Sequence, residues 1–213
     1  MTGSPPTRHT FPVRQSRDIY RGRVMALRAD QVEMPGGRLA TREIVEHYGA
    51  VAVAALDSDH RLAVIDQYRH AVARRLWELP AGLLDVSGED PALTAARELA
   101  EEAGLAATEW AVLLDVVPSP GFTDESVRVY LAQGLSQVDR PEPGDDEEAD
   151  LRIGWLPIAD AVAGVFSGEI VNGVTVAAVL AVQAVLAGVA RPRAVDAPWR
   201  DRPSAFGRRP SVD

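Results

Sequence analysis

Three features of the chain predict a layered α+β fold. Apolar runs of strand length fill the first half, one amphipathic helix interrupts them at about 91–103, and two helical stretches close the sequence after a last strand. Strands first, a helix in the middle and helices at the end suit layers of sheet and helix around one core. The 213 residues suffice for one domain of ordinary core size with a small appended element, and no internal repeat divides them.

In chain order, residues 1–17 are polar, with Pro5, Pro6 and Pro12, and are expected to be disordered. Residues 18–46 form a small β element, with short strands around a turn at Pro35-Gly36-Gly37. The main domain, 47–190, begins with strands from Ala50 to Leu56 and Leu62 to Tyr68, joined by a polar turn at Asp57-Ser58-Asp59. Val112 to Val117 and Val127 to Ala132 are further strands, 141–150 is an acidic loop, and Ile153 to Leu156 is the last strand. Helices follow at about 158–166 and 172–189. The second lies within Ile170 to Ala190, a stretch nearly long enough for a membrane span. Gly173 and Gly188 interrupt it, so a buried helix is the expectation. The Arg- and Pro-rich tail, 191–213, is expected to be irregular, as a surface strap or a disordered end.

The helix at 91–103 carries the densest chemistry. Asp90 can cap it, Pro91 suits its first position, and Gly104 suits the residue after its end. At roughly 100° per residue, Arg97, Glu98, Glu101 and Glu102 share one side, while Ala92, Leu93, Ala96, Leu99, Ala100 and Ala103 fall opposite as a predicted buried stripe. Glu98 and Glu102 are four apart and stack on one face. Carboxylates held so close repel one another, and a divalent cation reverses that cost. Magnesium in particular is held by a few carboxylates plus waters and substrate phosphates. A solvated charged face is the alternative reading of such a helix.

Gly82-Leu83-Leu84-Asp85-Val86-Ser87-Gly88-Glu89, seven residues, and then Arg97-Glu98-Leu99-Ala100-Glu101-Glu102-Ala103-Gly104-Leu105 together resemble the Nudix box. One departure stands out: six residues, where the usual box has five, separate Gly82 from Glu89. The extra residue reads as a longer loop before the helix. Pro120, sixteen positions after Gly104 within Ser119-Pro120-Gly121-Phe122-Thr123-Asp124-Glu125, is similar to the ADP-ribose pyrophosphatase subgroup. So are Gln67-Tyr68-Arg69 and Trp77-Glu78-Leu79-Pro80-Ala81-Gly82. The resemblance covers about 19 to 190 and is closest to actinobacterial members.

It implies a Nudix α/β/α sandwich with a small N-terminal antiparallel sheet through which relatives form swapped homodimers. It also implies metal-dependent hydrolysis of ADP-ribose to AMP and ribose 5-phosphate, with Mg2+ as the metal and Mn2+ as its substitute. Metal ions neutralise a pyrophosphate bridge and lower the pKa of a bound water. The implied ligands are Glu98 and Glu102, with Glu101 as a third and the main-chain carbonyl of Ala81. Arg97 would pair with Glu89 or a helix glutamate and orient the carboxylates. Within Asp145-Asp146-Glu147-Glu148-Ala149-Asp150, Glu148 is the expected base and Glu147 the second choice, a solvated loop being the alternative. Arg69 is expected to grip a phosphate bidentately, Glu125 to bind the terminal ribose, and Glu78 to contribute to substrate binding.

Composition narrows the classes. The absence of cysteine excludes disulfides, thiolate zinc sites and cysteine nucleophiles. A net charge of −9 argues against a general nucleic-acid surface, although all 22 basic residues are arginine. His9, His47, His60 and His70 show no ligand spacing and read as surface or structural residues. The N-terminus shows no leader, and a cytoplasmic protein without a nucleic-acid or membrane partner is expected. Hydrolysis of other nucleoside diphosphate derivatives, such as nucleotide sugars or dinucleoside polyphosphates, is the alternative activity. A non-catalytic ADP-ribose sensor is the alternative class, disfavoured because a sensor has no need of three metal-binding carboxylates.

Overall fold

The computed structural model describes residues 10–140 and 151–209. Among them the elements run β1 (Val13–Arg21), β2 (Met25–Glu33), β3 (Leu39–His47), β4 (Ala50–Ala55), β5 (Arg61–Arg69), β6 (Arg74–Glu78) and β7 (Ala81–Leu83). They continue with α1 (Pro91–Ala103), β8 (Leu105–Val116), β9 (Val127–Gln137), β10 (Arg152–Pro157), α2 (Ile158–Ser167) and α3 (Gly173–Leu186). The strands form three sheets, ordered β1-β2-β3, β10-β5-β6 and β7-β4-β9-β8.

β4 shows how the layers arise. Side chains alternate along a strand, so Val51, Val53 and Ala55 pack with Ala95, Leu99 and Ala103 of α1. Ala52, Ala54 and Leu56 pack on the other face with Ala161 of α2 and Val179 and Val182 of α3. Both faces are therefore covered by helices, which is why the segment reads as an unbroken apolar run. β9, parallel to β4, divides likewise: Val129 and Leu131 face α3, Tyr130 and Ala132 face α1. The result is an α/β/α sandwich. Removing Leu99 wholly from water contributes about 2 kcal/mol to it.

The α1 boundaries agree with the expectation. Asp90 accepts the Ala92 N–H at 2.8 Å, and Gly104 takes the left-handed conformation at φ 62°. The buried side of the helix differs from the expected stripe. Leu93 is 64% exposed, whereas Thr94, Ala95, Leu99, Glu102 and Ala103 are buried. The helix is rolled so that Glu98 and Glu102 turn toward β7, while Glu101 stays 39% exposed.

Other differences concern short or terminal pieces. β1 begins at Val13, within the segment expected to be disordered, because its backbone pairs with β2 from Val13↔Val32 onward. β6 and β7 were not anticipated; they are short, and Pro80 separates them. β8 and β9 extend beyond their apolar centres. α3 is a partly buried helix of 14 residues, and among the described residues no helix is long and apolar enough to cross a membrane.

The tail is a strap in its described part, up to residue 209. Arg193 and Val112 exchange backbone hydrogen bonds of 2.8 and 2.9 Å. Trp199 donates Nε1–H to Ser126 Oγ at 3.0 Å and lies under the Arg128 guanidinium, 4.9 Å from its ring centre. Phe206, 4% exposed, meets Tyr48 edge to face at 4.6 Å. Arg209 then grips Asp18 with two N–H bonds of 2.7 and 2.8 Å and buried Glu46 with a third. Glu46 also pairs with Arg28, which bonds buried Asp30. The hydrogen bond from Arg209 is the main reason the Asp18 carboxyl lies below its ordinary pKa. The strap thus ties the N-terminal sheet to the sandwich.

Candidate active site

Antiparallel pairing puts Ala81 opposite Ala52 and Gly82 opposite Val51, so β7 lies along the edge of β4 beside α1. Glu102, 6% exposed, accepts the Ala81 N–H at 2.8 Å. Glu98 lies directly over Gly82: a Cβ built on that glycine would fall 2.0 Å from Glu98 Oε1 and 2.1 Å from its Cδ. Glycine is required here to let a carboxylate settle onto the backbone. The extra residue between Gly82 and Glu89 is absorbed in a turn, closed by Glu89 N–H to Val86 C=O at 3.2 Å with Gly88 at φ 82°.

Arg97 gathers the neighbouring carboxylates. Its Nη1 donates to Glu98 at 2.8 Å and to Glu101 at 2.9 Å, and its other nitrogens reach Glu89 at 3.3 and 3.4 Å. Burial alone would lower the Arg97 pKa, but its bond to Glu89 and the charges of Glu98 and Glu101 raise it, so it remains a cation. Glu89 in turn lies below the ordinary carboxylate value, first through Arg97 and then through the Thr94 hydroxyl at 2.8 Å.

Ala81, Glu98, Glu102, Arg97, Arg69, Glu78 and Glu125 all line one cavity of about 1410 Å3. Glu101 does not line it; its side chain, 39% exposed, rests on Arg97. Arg69 differs in what it holds. Its guanidinium makes a bidentate pair with Glu78 at 3.0 and 2.7 Å, so that edge is engaged with a carboxylate and not presented to a phosphate. Glu78 is only 3% exposed, and a buried carboxylate needs such a partner. Glu147 and Glu148 lie outside the described residues.

Several cavity residues were not anticipated. His47, expected to be a surface or structural residue, lines the cavity with Tyr48 and Arg23, all three brought there by the N-terminal sheet and its exit. The His47 N–H donates to Asp124 at 2.9 Å, and burial raises the Asp124 pKa. Val45 and Phe122–Asp124 exchange backbone bonds of 2.7 and 3.1 Å, which hold the loop carrying Glu125 against β3. Asn172 also lines the cavity. Its sequence signal is an asparagine ahead of an apolar helix, which marks a cap but gives no hint of the cavity.

The donors suit a hard divalent cation. Glu98 and Glu102 are side by side over Ala81 and Gly82, and only oxygen donors are offered. Among the described residues no three His, Asp or Glu side chains converge as a closed cage.

Comparison with known proteins follows the same outline. The family model for the NUDIX domain matches residues 45–171, and that for the nucleoside diphosphate sugar hydrolase N-terminal domain matches residues 12–45. An ADP-ribose pyrophosphatase of Mycobacterium tuberculosis is 57% identical over 201 residues, covering 94% of this chain and 97% of its own. An ADP-ribose pyrophosphatase of Bacillus subtilis is 37% identical, covering 76% of this chain and 86% of its own. The crystal structure of an ADP compounds hydrolase superposes with a TM-score of 0.73 at 22% identity, over 86% of this chain and 98% of that one, a likeness of fold.

Proposed function

The chain belongs to the Nudix family, and on that premise we propose that it hydrolyses the pyrophosphate bond of ADP-ribose to AMP and ribose 5-phosphate. The observation that carries this reading is the 57% identity across 94% of the chain to an ADP-ribose pyrophosphatase. The cavity supports it, being large enough for a dinucleotide-sized substrate and lined by the paired carboxylates.

Glu98, Glu102 and the Ala81 carbonyl would hold the divalent ion, with Mg2+ the proposed metal and Mn2+ its substitute. When bound, the ion neutralises the bridging phosphates and lowers the pKa of water. Arg97 orients Glu98 and Glu101 and keeps their negative charges side by side. Glu101 acts through Arg97 or as a further ligand. Glu125 binds the terminal ribose, and Arg69, steadied by Glu78, adds positive charge near the phosphates. Water attack on one phosphorus breaks the P–O–P bridge, and the water proton passes to the base, proposed as Glu148 with Glu147 second. The protein works in the cytoplasm as a homodimer through its N-terminal sheet, where Ile19, Tyr20 and Leu39 are 43%, 55% and 51% exposed. Sedimentation at the monomer mass would remove the dimer.

The test is product analysis after incubation with ADP-ribose, with and without Mg2+. AMP and ribose 5-phosphate are expected only with metal, and Glu148→Gln is expected to lower the rate by about 100-fold or more with metal binding retained. No product from the wild type, with ADP-ribose still bound, would overturn hydrolysis in favour of a sensor.

A further inference from the structure

We propose that the C-terminal strap positions one wall of the substrate cavity. Trp199 and Phe206, neither of which lines the cavity, act through Ser126 and Tyr48 to fix where Glu125 and the Tyr48 ring stand. The inference rests on the hydrolase reading above. Both wall residues need outside support, because neither belongs to a strand. Tyr48 lies in the link between β3 and β4, and Glu125 lies in the loop between β8 and β9. A side chain on such a segment has no ladder beneath it to set its direction, so packing from elsewhere must do so.

The anchors of the strap fall on that wall one after another. Trp199 donates Nε1–H at 3.0 Å to Ser126, which is wholly buried and directly follows Glu125. Pro203 lies against Gly49, the residue between Tyr48 and Ala50: a Cβ built on that glycine would fall 2.9 Å from Pro203 Cδ and 3.2 Å from the Ser126 carbonyl oxygen. Gly49 has φ 83°, so glycine is required where strap, link and loop meet. Phe206 meets the Tyr48 ring edge to face at 4.6 Å. Arg209 bonds buried Glu46, which directly precedes His47. His47, Tyr48, Ala50 and Glu125 all line the cavity.

The two braced segments are also bonded to each other. Ala50 donates its N–H to the Ser126 carbonyl at 3.1 Å, and His47 donates its N–H to Asp124 at 2.9 Å. A displacement at one is therefore felt at the other. The carboxylates proposed for the metal are held by other means, Glu102 by the Ala81 N–H and Glu98 by Arg97. The strap thus bears on binding more than on the chemical step. With its anchors in place the wall is set before substrate arrives. With an anchor lost, the same side chains must be ordered on binding, which weakens binding while the bound complex keeps its geometry.

Steady-state kinetics of the full chain on ADP-ribose with Mg2+ tests this through the split between KM and kcat. Phe206→Ala is expected to raise KM about tenfold and to leave kcat within about twofold. A merely structural role would do the reverse: a smaller folded fraction lowers the apparent kcat and leaves KM where it was. Phe206→Leu, which restores apolar bulk against Tyr48, is expected to bring KM back to within about threefold of the wild type. Trp199→Phe keeps a ring beneath Arg128 and removes only the donor to Ser126, and it is expected to raise KM about threefold. That variant carries the test should Phe206→Ala fail to fold. An unchanged KM, or a loss confined to kcat, would overturn the positioning role while leaving the hydrolase reading intact. A wild-type protein inactive on ADP-ribose would overturn both together.

Discussion

Glu102→Gln is expected to lower kcat on ADP-ribose by at least about 100-fold, since even residues one step removed from a metal are worth about 10–100-fold. The fold should survive. Glutamine keeps an oxygen able to accept the Ala81 N–H, a bond at 2.8 Å that ties Glu102 to β7. The melting temperature should therefore stay within about 4 °C, the shift that roughly 1 kcal/mol produces in a chain of this size. Electrostatics adds a second readout. Glu98 and Glu102 repel each other in the metal-free protein, so removing one charge relieves that cost and removes much of the gain on binding a cation. Mg2+ should raise the melting temperature of the wild type and raise that of the variant much less. Wild-type turnover in the variant would sink the assignment of Glu102 to the metal.

Gly82→Ala tests the same site from below. The added methyl would stand 2.0 Å from Glu98 Oε1 and 2.5 Å from its Cγ, separations that real side chains do not adopt. The backbone there is not left-handed, so alanine brings no conformational strain of its own. What must yield is the end of the Glu98 side chain, which can swing away at small cost in stability. Activity is therefore expected to fall by about 100-fold or more while the denaturant midpoint scarcely moves. A variant within threefold of wild-type kcat/KM would show that Glu98 need not rest on β7 for the chemistry to proceed.

Both predictions turn on a contact between two segments that the sequence displays separately. The spacing from Gly82 to Glu102 could be read along the chain, including its extra residue, and so could the capped helix. That the glycine lies beneath Glu98 could not. Arg69 shows the same limit. As a type, arginine suits a phosphate, but β5 and β6 pair antiparallel so that Arg69 and Glu78 meet as a bidentate ion pair. The side of α1 that is buried was misjudged for a related reason. Periodicity weighs apolar against polar residues, and it assigned Leu93 inward and Glu102 outward. Glu98 and Glu102 instead turn toward β7, where Glu102 gains a backbone donor, and Leu93 is left 64% exposed.

By itself, the sequence determined the elements whose signals are local. α1 is delimited by Asp90, Pro91 and Gly104, β4 and β5 by apolar runs around a polar turn, and α3 by a long apolar stretch. Capping, turn chemistry and period act within a few residues, so they are legible without a fold. Tertiary structure alone decided β6 and β7, whose brevity leaves no period to read. It also decided the arrival of His47 and Tyr48 at the cavity, the docking of Phe206 against Tyr48 across more than 150 residues of chain, and the placing of Asn172 on the cavity wall. Those features depend on which distant surfaces meet when both faces of β4 are covered, and no stretch of the chain encodes that meeting on its own.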